Sequence, residues 1–135
     1  PAIALEEISR SRRERSYPLK KKKSQRPFII KLGPLFSGIT EDLSNRVPAA
    51  TISARFHATA IEIGKEVALV LSGQTGIQET VFSGGVFQNR IVRGGLAEGL
   101  RKAGLTVILP GVIPAHDGGI AFGQAAVAAG VAAEK

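Results

Sequence analysis

One stretch constrains the fold more than any other: Val81-Phe82-Ser83-Gly84-Gly85-Val86-Phe87-Gln88-Asn89-Arg90. Val81 and Phe82 suit a short buried strand, and Ser83-Gly84-Gly85 breaks the extended pattern. Beyond the break, Val92, Leu96 and Leu100 recur every four residues, with Ala103 three further on, which predicts a helix with one apolar face. The reading is a strand, a two-glycine corner and the first turn of a helix. A glycine pair at such a corner lets a ligand approach the backbone closely, because no Cβ stands in the way. Amide N–H groups at the start of the following helix favour phosphate or ribose oxygens. Asn89 follows one turn in, with an amide able to donate and to accept. The same pattern also describes ordinary turn geometry. It is neither the glycine-rich phosphate loop ending in Lys-Ser/Thr nor the three-glycine dinucleotide fingerprint.

Upstream, residues 3 to about 15 can form a short helix whose apolar contacts are Ile3, Leu5 and Ile8, ended by Tyr17-Pro18. Residues 20–26 read as an exposed loop, and Phe28-Ile29-Ile30-Lys31-Leu32 as a strand. Gly33-Pro34 breaks that strand, and Pro34 suits the start of a helix to about Asn45 with Leu35, Phe36, Ile39 and Leu43 as its apolar positions. Pro48 opens the longest helical pattern, to about Ser72-Gly73, with Ile52, Phe56, Ala60, Ile63, Val67 and Val70 as one stripe. Leu105-Thr106-Val107-Ile108-Leu109 is a second strand, stopped by Pro110. A second corner, Pro114-Ala115-His116-Asp117-Gly118-Gly119, leads into a helix of very small residues from Ile120. The second half therefore reads strand, corner, helix, strand, corner, helix. In an α/β sheet, ligands bind beyond the carboxyl ends of the strands, so both corners can face one crevice.

Composition removes several classes of function. The 135 residues make one domain's worth of core and contain no cysteine, which excludes disulfides, thiolate metal sites and a cysteine nucleophile. Two histidines, His57 and His116, cannot build a multi-histidine cage by themselves. No apolar run approaches a membrane span, and the acidic and arginine-rich start is not a signal peptide, so a cytoplasmic protein without membrane contact is expected. The absence of any methionine and the start at Pro1 suggest a piece of a longer chain. Charge is uneven: residues 1–31 hold ten Lys/Arg against three Glu, whereas residues 32–135 hold eight of each sign. The chain thus divides into a basic helix and linker over 1–31 and an α/β part over 32–135. A basic run can contact phosphates. With one tyrosine and no aromatic interleaving, this one reads more simply as a solvated linker, and nucleic acid is not the expected partner.

Two motifs carry a family resemblance. Ser83-Gly84-Gly85-Val86-Phe87-Gln88-Asn89-Arg90, followed by Asp117-Gly118-Gly119-Ile120-Ala121-Phe122-Gly123-Gln124, resembles the carboxyl end of the carbamoyltransferases that mature nickel–iron hydrogenases, the HypF family. Ala54-Arg55-Phe56-His57 is similar to that family too, and the similarity extends weakly through residues 1–50. The related threonylcarbamoyl transferases acting on tRNA share the fold, but the Phe-Gln-Asn-Arg and Asp-Gly-Gly-Ile-Ala spellings favour the hydrogenase family. A non-catalytic module that binds a partner or nucleic acid through the basic segment is the alternative from another class.

The resemblance implies the second ribonuclease-H-like half of the duplicated fold of actin and the sugar kinases, a mixed sheet flanked by helices. It implies an enzyme that uses carbamoyl phosphate and ATP, forms carbamoyl-adenylate and passes the carbamoyl group to a carboxyl-terminal cysteine of a partner protein, for cyanide-ligand synthesis. By the same resemblance Gly84, Gly85 and Val86 match the loop that wraps the nucleotide, Asn89 lies beside it, and Asp117 matches a ligand of a divalent metal. No catalytic residue is assigned. Asp117 is equally suited to capping the last helix, and His57 to packing or hydrogen bonding. His116 stands where the family has Asn; an added ligand, a pH-sensitive contact and a surface change are all open. Gly94, Gly95 and Gly99 inside the helix after the corner either permit close packing or mark drift. The paired metal-binding histidines and the other modules of such an enzyme are absent here. The chain alone is therefore expected to be inactive, to depend on the missing amino-terminal domains, and to self-associate through apolar surface.

Overall fold

The computed structural model describes residues 2–22, 29–111, 113, 114 and 117–133. Helix α1 (Ala2–Ser9) leads into an extended segment, then strands β1 (Lys20–Lys22) and β2 (Ile29–Lys31), helices α2 (Gly33–Ser44) and α3 (Ala49–Thr75), and strand β3 (Glu79–Val81). A 3-10 turn (Gly85–Gln88), helix α4 (Arg90–Lys102), strand β4 (Thr106–Ile108), a second 3-10 turn (Asp117–Gly119) and helix α5 (Ile120–Ala133) complete the chain. The α/β class holds. Its strands form two separate ribbons: β1 pairs antiparallel with β2, and β3 pairs parallel with β4 in the register Glu79↔Thr106, Val81↔Ile108. Lys20–Lys22 is thus a strand where a loop is expected from composition.

The core lies between α4, α3 and the inner face of β3–β4. Phe82, Leu96, Ala97, Leu100 and Leu105 form its buried centre, with Ile61, Ala68, Leu69, Phe87 and Val107 packed against it. The apolar repeat of α4 is therefore used as the sequence predicts, Val92, Leu96 and Leu100 all being buried. Two glycines let α3 and α4 approach. A Cβ at Gly95 would stand 2.5 Å from Ile61 Cδ1, and one at Gly64 would stand 2.9 Å from Leu96 Cδ2. Gly95 is thus a packing glycine, whereas a Cβ at Gly94 would meet open space. That contact also reorients α3. Its fully buried side chains are Thr51, Ser53, Ala54, His57 and Thr59, while the stripe expected from Ile52 to Val70 is half-buried, with Phe56 exposed. The reason is that the amino-terminal part of α3 receives hydrogen-bonding groups from residues 5–17 instead of an apolar partner.

Helix α1 shows the same preference. Ile3, Leu5 and Ile8 face solvent, and the side chains it buries are Glu6 and Ser9. Ser9 Oγ donates to the Leu5 carbonyl at 2.9 Å, and Ser53 Oγ donates to the same carbonyl at 2.7 Å. The helix stops at Ser9, short of the expected Arg15, because the chain then runs extended. There Arg12 donates to Thr51 Oγ1 (3.0 Å) and the Tyr17 N–H to Thr59 Oγ1 (2.8 Å). At the other end, every described side chain from Ile120 to Ala132 on α5 is exposed. No helix among the described residues is long and apolar enough to cross a membrane.

Candidate functional site

Strand β3 ends at Val81, and the next residue is Phe82, whose N–H donates to the Ile108 carbonyl at 3.1 Å and whose side chain is 2 % exposed. Two residues later Gly84 adopts φ 101° and ψ 161°, a region essentially reserved for glycine. The corner is therefore a genuine backbone requirement. It continues as a separate 3-10 turn, Gly85–Gln88, and not as the first turn of the long helix. Phe87 fixes that turn: its N–H donates to the Gly84 carbonyl (3.2 Å) and its ring stacks on Phe82 with centroids 4.4 Å apart. A Cβ at Gly84 or Gly85 would meet nothing within 4 Å, so the outer side of the corner is open. The first amides of a 3-10 turn have no acceptor inside it, which leaves the Gly85 and Val86 N–H groups to an outside partner.

Asn89 closes the turn and opens α4. Its N–H donates to the Val86 carbonyl (3.1 Å), and its Oδ1 accepts the Val92 N–H (3.0 Å) as an N-cap. The Arg90 N–H, another first-turn donor of α4, goes to Glu6 Oε1 of α1 at 3.0 Å. Two early amides of α4 are thus taken by side chains. Asn89 Nδ2 lies 2.9 Å from His57 Nε2, so His57 is a buried hydrogen-bonding residue.

Because β3 and β4 are parallel neighbours, the loops after them leave the same edge of the pair. A small cavity of ≈ 190 Å³ separates Phe87, Gln88 and Arg93 from Pro110, Ile113 and Pro114. Asp117 is exposed and opens the second 3-10 turn. The structure gathers Gly84, Gly85, Val86 and Asn89 at one turn, and Asp117 stands at the start of another. Among the described residues no three His, Asp or Glu groups cluster as a metal site. His116 lies outside the described residues.

A second polar cluster escaped the sequence reading. The Tyr17 hydroxyl donates to Asp42 Oδ2 (2.5 Å), and Arg55 Nη1 donates to both Asp42 oxygens at 2.8 and 2.9 Å. Burial first, and then the Asp42 carboxylate, push the Tyr17 hydroxyl up to about 12. The Tyr17 hydrogen bond, followed by Arg55, holds Asp42 below the usual carboxylate range. No spacing signal links residues 17, 42 and 55; only the Ala54-Arg55-Phe56-His57 motif pointed at one member. The cluster clamps the extended segment onto α2 and α3.

The family model for the second subdomain of the carbamoyltransferase Kae1-like domain matches residues 1–124. The chain belongs to the HypF carbamoyltransferase family. It is 39% identical over 90 residues, 67% of its length, to carbamoyltransferase HypF2 of Cupriavidus necator, and 30% identical over 124 residues, 91% of its length, to carbamoyltransferase HypF of Synechocystis. A crystal structure of full-length HypF in the phosphate- and nucleotide-bound form superimposes with a TM-score of 0.86 and 32% identity over 96% of the chain. The T. kodakarensis HypF structure shares the fold at a TM-score of 0.68 and 20% identity over 93% of the chain. The chain spans 11% and 15% of the two HypF sequences, and 17% and 16% of the two solved HypF chains. The expected α/β half of the Kae1-like fold is thereby established.

Proposed function

We propose that this chain contributes the nucleotide loop of an ATP-dependent carbamoyltransferase, with the Gly85 and Val86 amides binding phosphate oxygens and Asn89 beside them. The observation that carries the reading is the open corner at Gly84. A glycine-only backbone presents amides that the fold does not use, on a chain whose full-length structural relative is described as phosphate- and nucleotide-bound. The reaction is the transfer of a carbamoyl group from carbamoyl phosphate, through carbamoyl-adenylate, to a carboxyl-terminal cysteine of an acceptor protein, for cyanide-ligand synthesis in hydrogenase maturation. An exposed carboxylate such as Asp117 fits a hard divalent cation as one ligand, the others coming from outside the described residues; bound there, the cation would neutralise phosphate charge. The transfer needs the remaining domains of the enzyme, and the isolated chain is inactive. No observation favours tRNA as the acceptor.

Calorimetric titration of MgATP into the chain, beside Gly85→Val and Asp117→Ala, tests this reading. Saturable binding weakened by either substitution supports it. Binding to the wild type that both substitutions leave intact overturns the site assignment, and carbamoyl transfer by the chain alone overturns its incompleteness.

A further inference from the structure

We infer that Glu6, His57 and Asn89 act together as positioning residues for the glycine corner, with His57 held as the neutral tautomer protonated on Nδ1. The inference rests on reading that corner as the nucleotide site. Nothing packs on the outer side of Gly84 and Gly85, so the aim of their amides is set from the ends of the turn. One end is held by Phe87 on Phe82. The other is Asn89, whose backbone belongs to both the 3-10 turn and α4.

The polarity of the Asn89 amide is fixed. Its oxygen accepts the Val92 N–H, and exchanging oxygen and nitrogen would set an NH₂ group against that donor. Its Nδ2 therefore donates to His57 Nε2, which must carry a lone pair. On the opposite edge of the ring, Nδ1 lies 2.8 Å from the Ser53 carbonyl. The Ser9 and Ser53 hydroxyl oxygens stand 3.5 and 3.4 Å away, and both hydroxyl protons are already directed to backbone carbonyls. Surrounded by acceptors, Nδ1 carries the hydrogen. Glu6 completes the arrangement by accepting the Arg90 N–H from a helix that Ser53 also grips through the Leu5 carbonyl. Three segments distant in sequence thus converge on the joint between turn and helix, and the ring passes the position of α3 to the corner.

Nuclear magnetic resonance on the full 135-residue chain tests this. Ring nitrogen shifts of His57 are expected to report the Nδ1–H tautomer alone; the Nε2–H tautomer or a mixture would overturn the assignment. His57→Gln retains an acceptor that can reach Asn89, whereas His57→Leu fills the space without one. The expected result is that Gln keeps the Gly84, Gly85 and Val86 amide resonances near their wild-type positions and Leu displaces them. With MgATP as the probe, Leu should weaken binding about tenfold and Gln much less. Equal effects of the two substitutions on the corner resonances, tracking thermal stability alone, would reduce His57 to a packing residue and sink the inference. Glu6→Gln, which keeps the acceptor for Arg90, against Glu6→Ala repeats the comparison if His57→Leu does not fold. A wild-type chain that ignores MgATP counts against the nucleotide reading, while the corner resonances still decide the positioning one.

Discussion

At Gly84 the backbone occupies φ 101° and ψ 161°, where any side chain is strained. Gly84→Ala is accordingly expected to lower stability by about 1–3 kcal/mol in chemical denaturation, with or without ligand. The neighbouring glycine behaves differently. A Cβ at Gly85 meets open space and its φ is unremarkable, so Gly85→Val should leave the melting temperature within a few degrees of wild type while reducing MgATP affinity by about tenfold or more. A pair of substitutions one residue apart thus separates what the backbone needs from what the ligand needs. The sequence made both glycines legible as a corner, because a Gly-Gly step between a strand and an apolar repeat has few other uses. It did not reveal that Asn89 is an N-cap, because a cap is recognisable only once the helix boundary is known, and the intervening 3-10 turn moves that boundary past Gln88.

The elements on either side of the core are joined by unlike chemistries. Helices α3 and α4 meet through reciprocal glycines, so Gly95→Leu forces a side chain onto Ile61 and is expected to cost about 1–3 kcal/mol, read by thermal unfolding. The extended segment before β1 is held to α2 and α3 by Tyr17, Asp42 and Arg55. Tyr17 titrates above its ordinary value, so its contribution is complete below about pH 10 and is lost as pH rises through about 12. Asp42 titrates below its ordinary value, so its contribution is present above about pH 4 and disappears as pH falls through the lowered value. Tyr17 is the only tyrosine and there is no tryptophan, so ultraviolet absorbance follows its ionisation directly. A midpoint near 12 is expected, moving back towards 10 in Asp42→Asn; an unshifted midpoint in the wild type would refute the clamp. These polar links also explain where periodicity misled. A 27-residue helix offers several plausible apolar stripes, and the one chosen here was set by a glycine contact and by hydroxyl groups, which a hydrophobic pattern does not weigh.

Taken whole, the molecule buries Glu6 and Ser9 of its amino-terminal helix while exposing much of its apolar carboxyl end. Val81 and Ile108, partners across β3–β4, are 65% and 44% exposed, and Phe122, Val127 and Val131 of α5 are more than half exposed. A parallel pair is ordinarily covered on both faces. Concentration-dependent self-association is therefore expected in sedimentation, reduced by the double substitution Val81→Lys and Phe122→Lys; a monomer at all concentrations would refute it. The α/β class and the family were readable from two spaced motifs, whereas the unpaired face follows from the sheet having only two parallel strands among the described residues, which no local pattern announces. The bond from Glu6 to the Arg90 N–H has a consequence in time. Its partners are 84 residues apart, so at ribosomal speeds α1 waits roughly 4–17 s for the residue it must cap. The corner takes its final shape only after that interval, and a nascent chain halted anywhere within it carries α1 without the turn that α1 helps to hold.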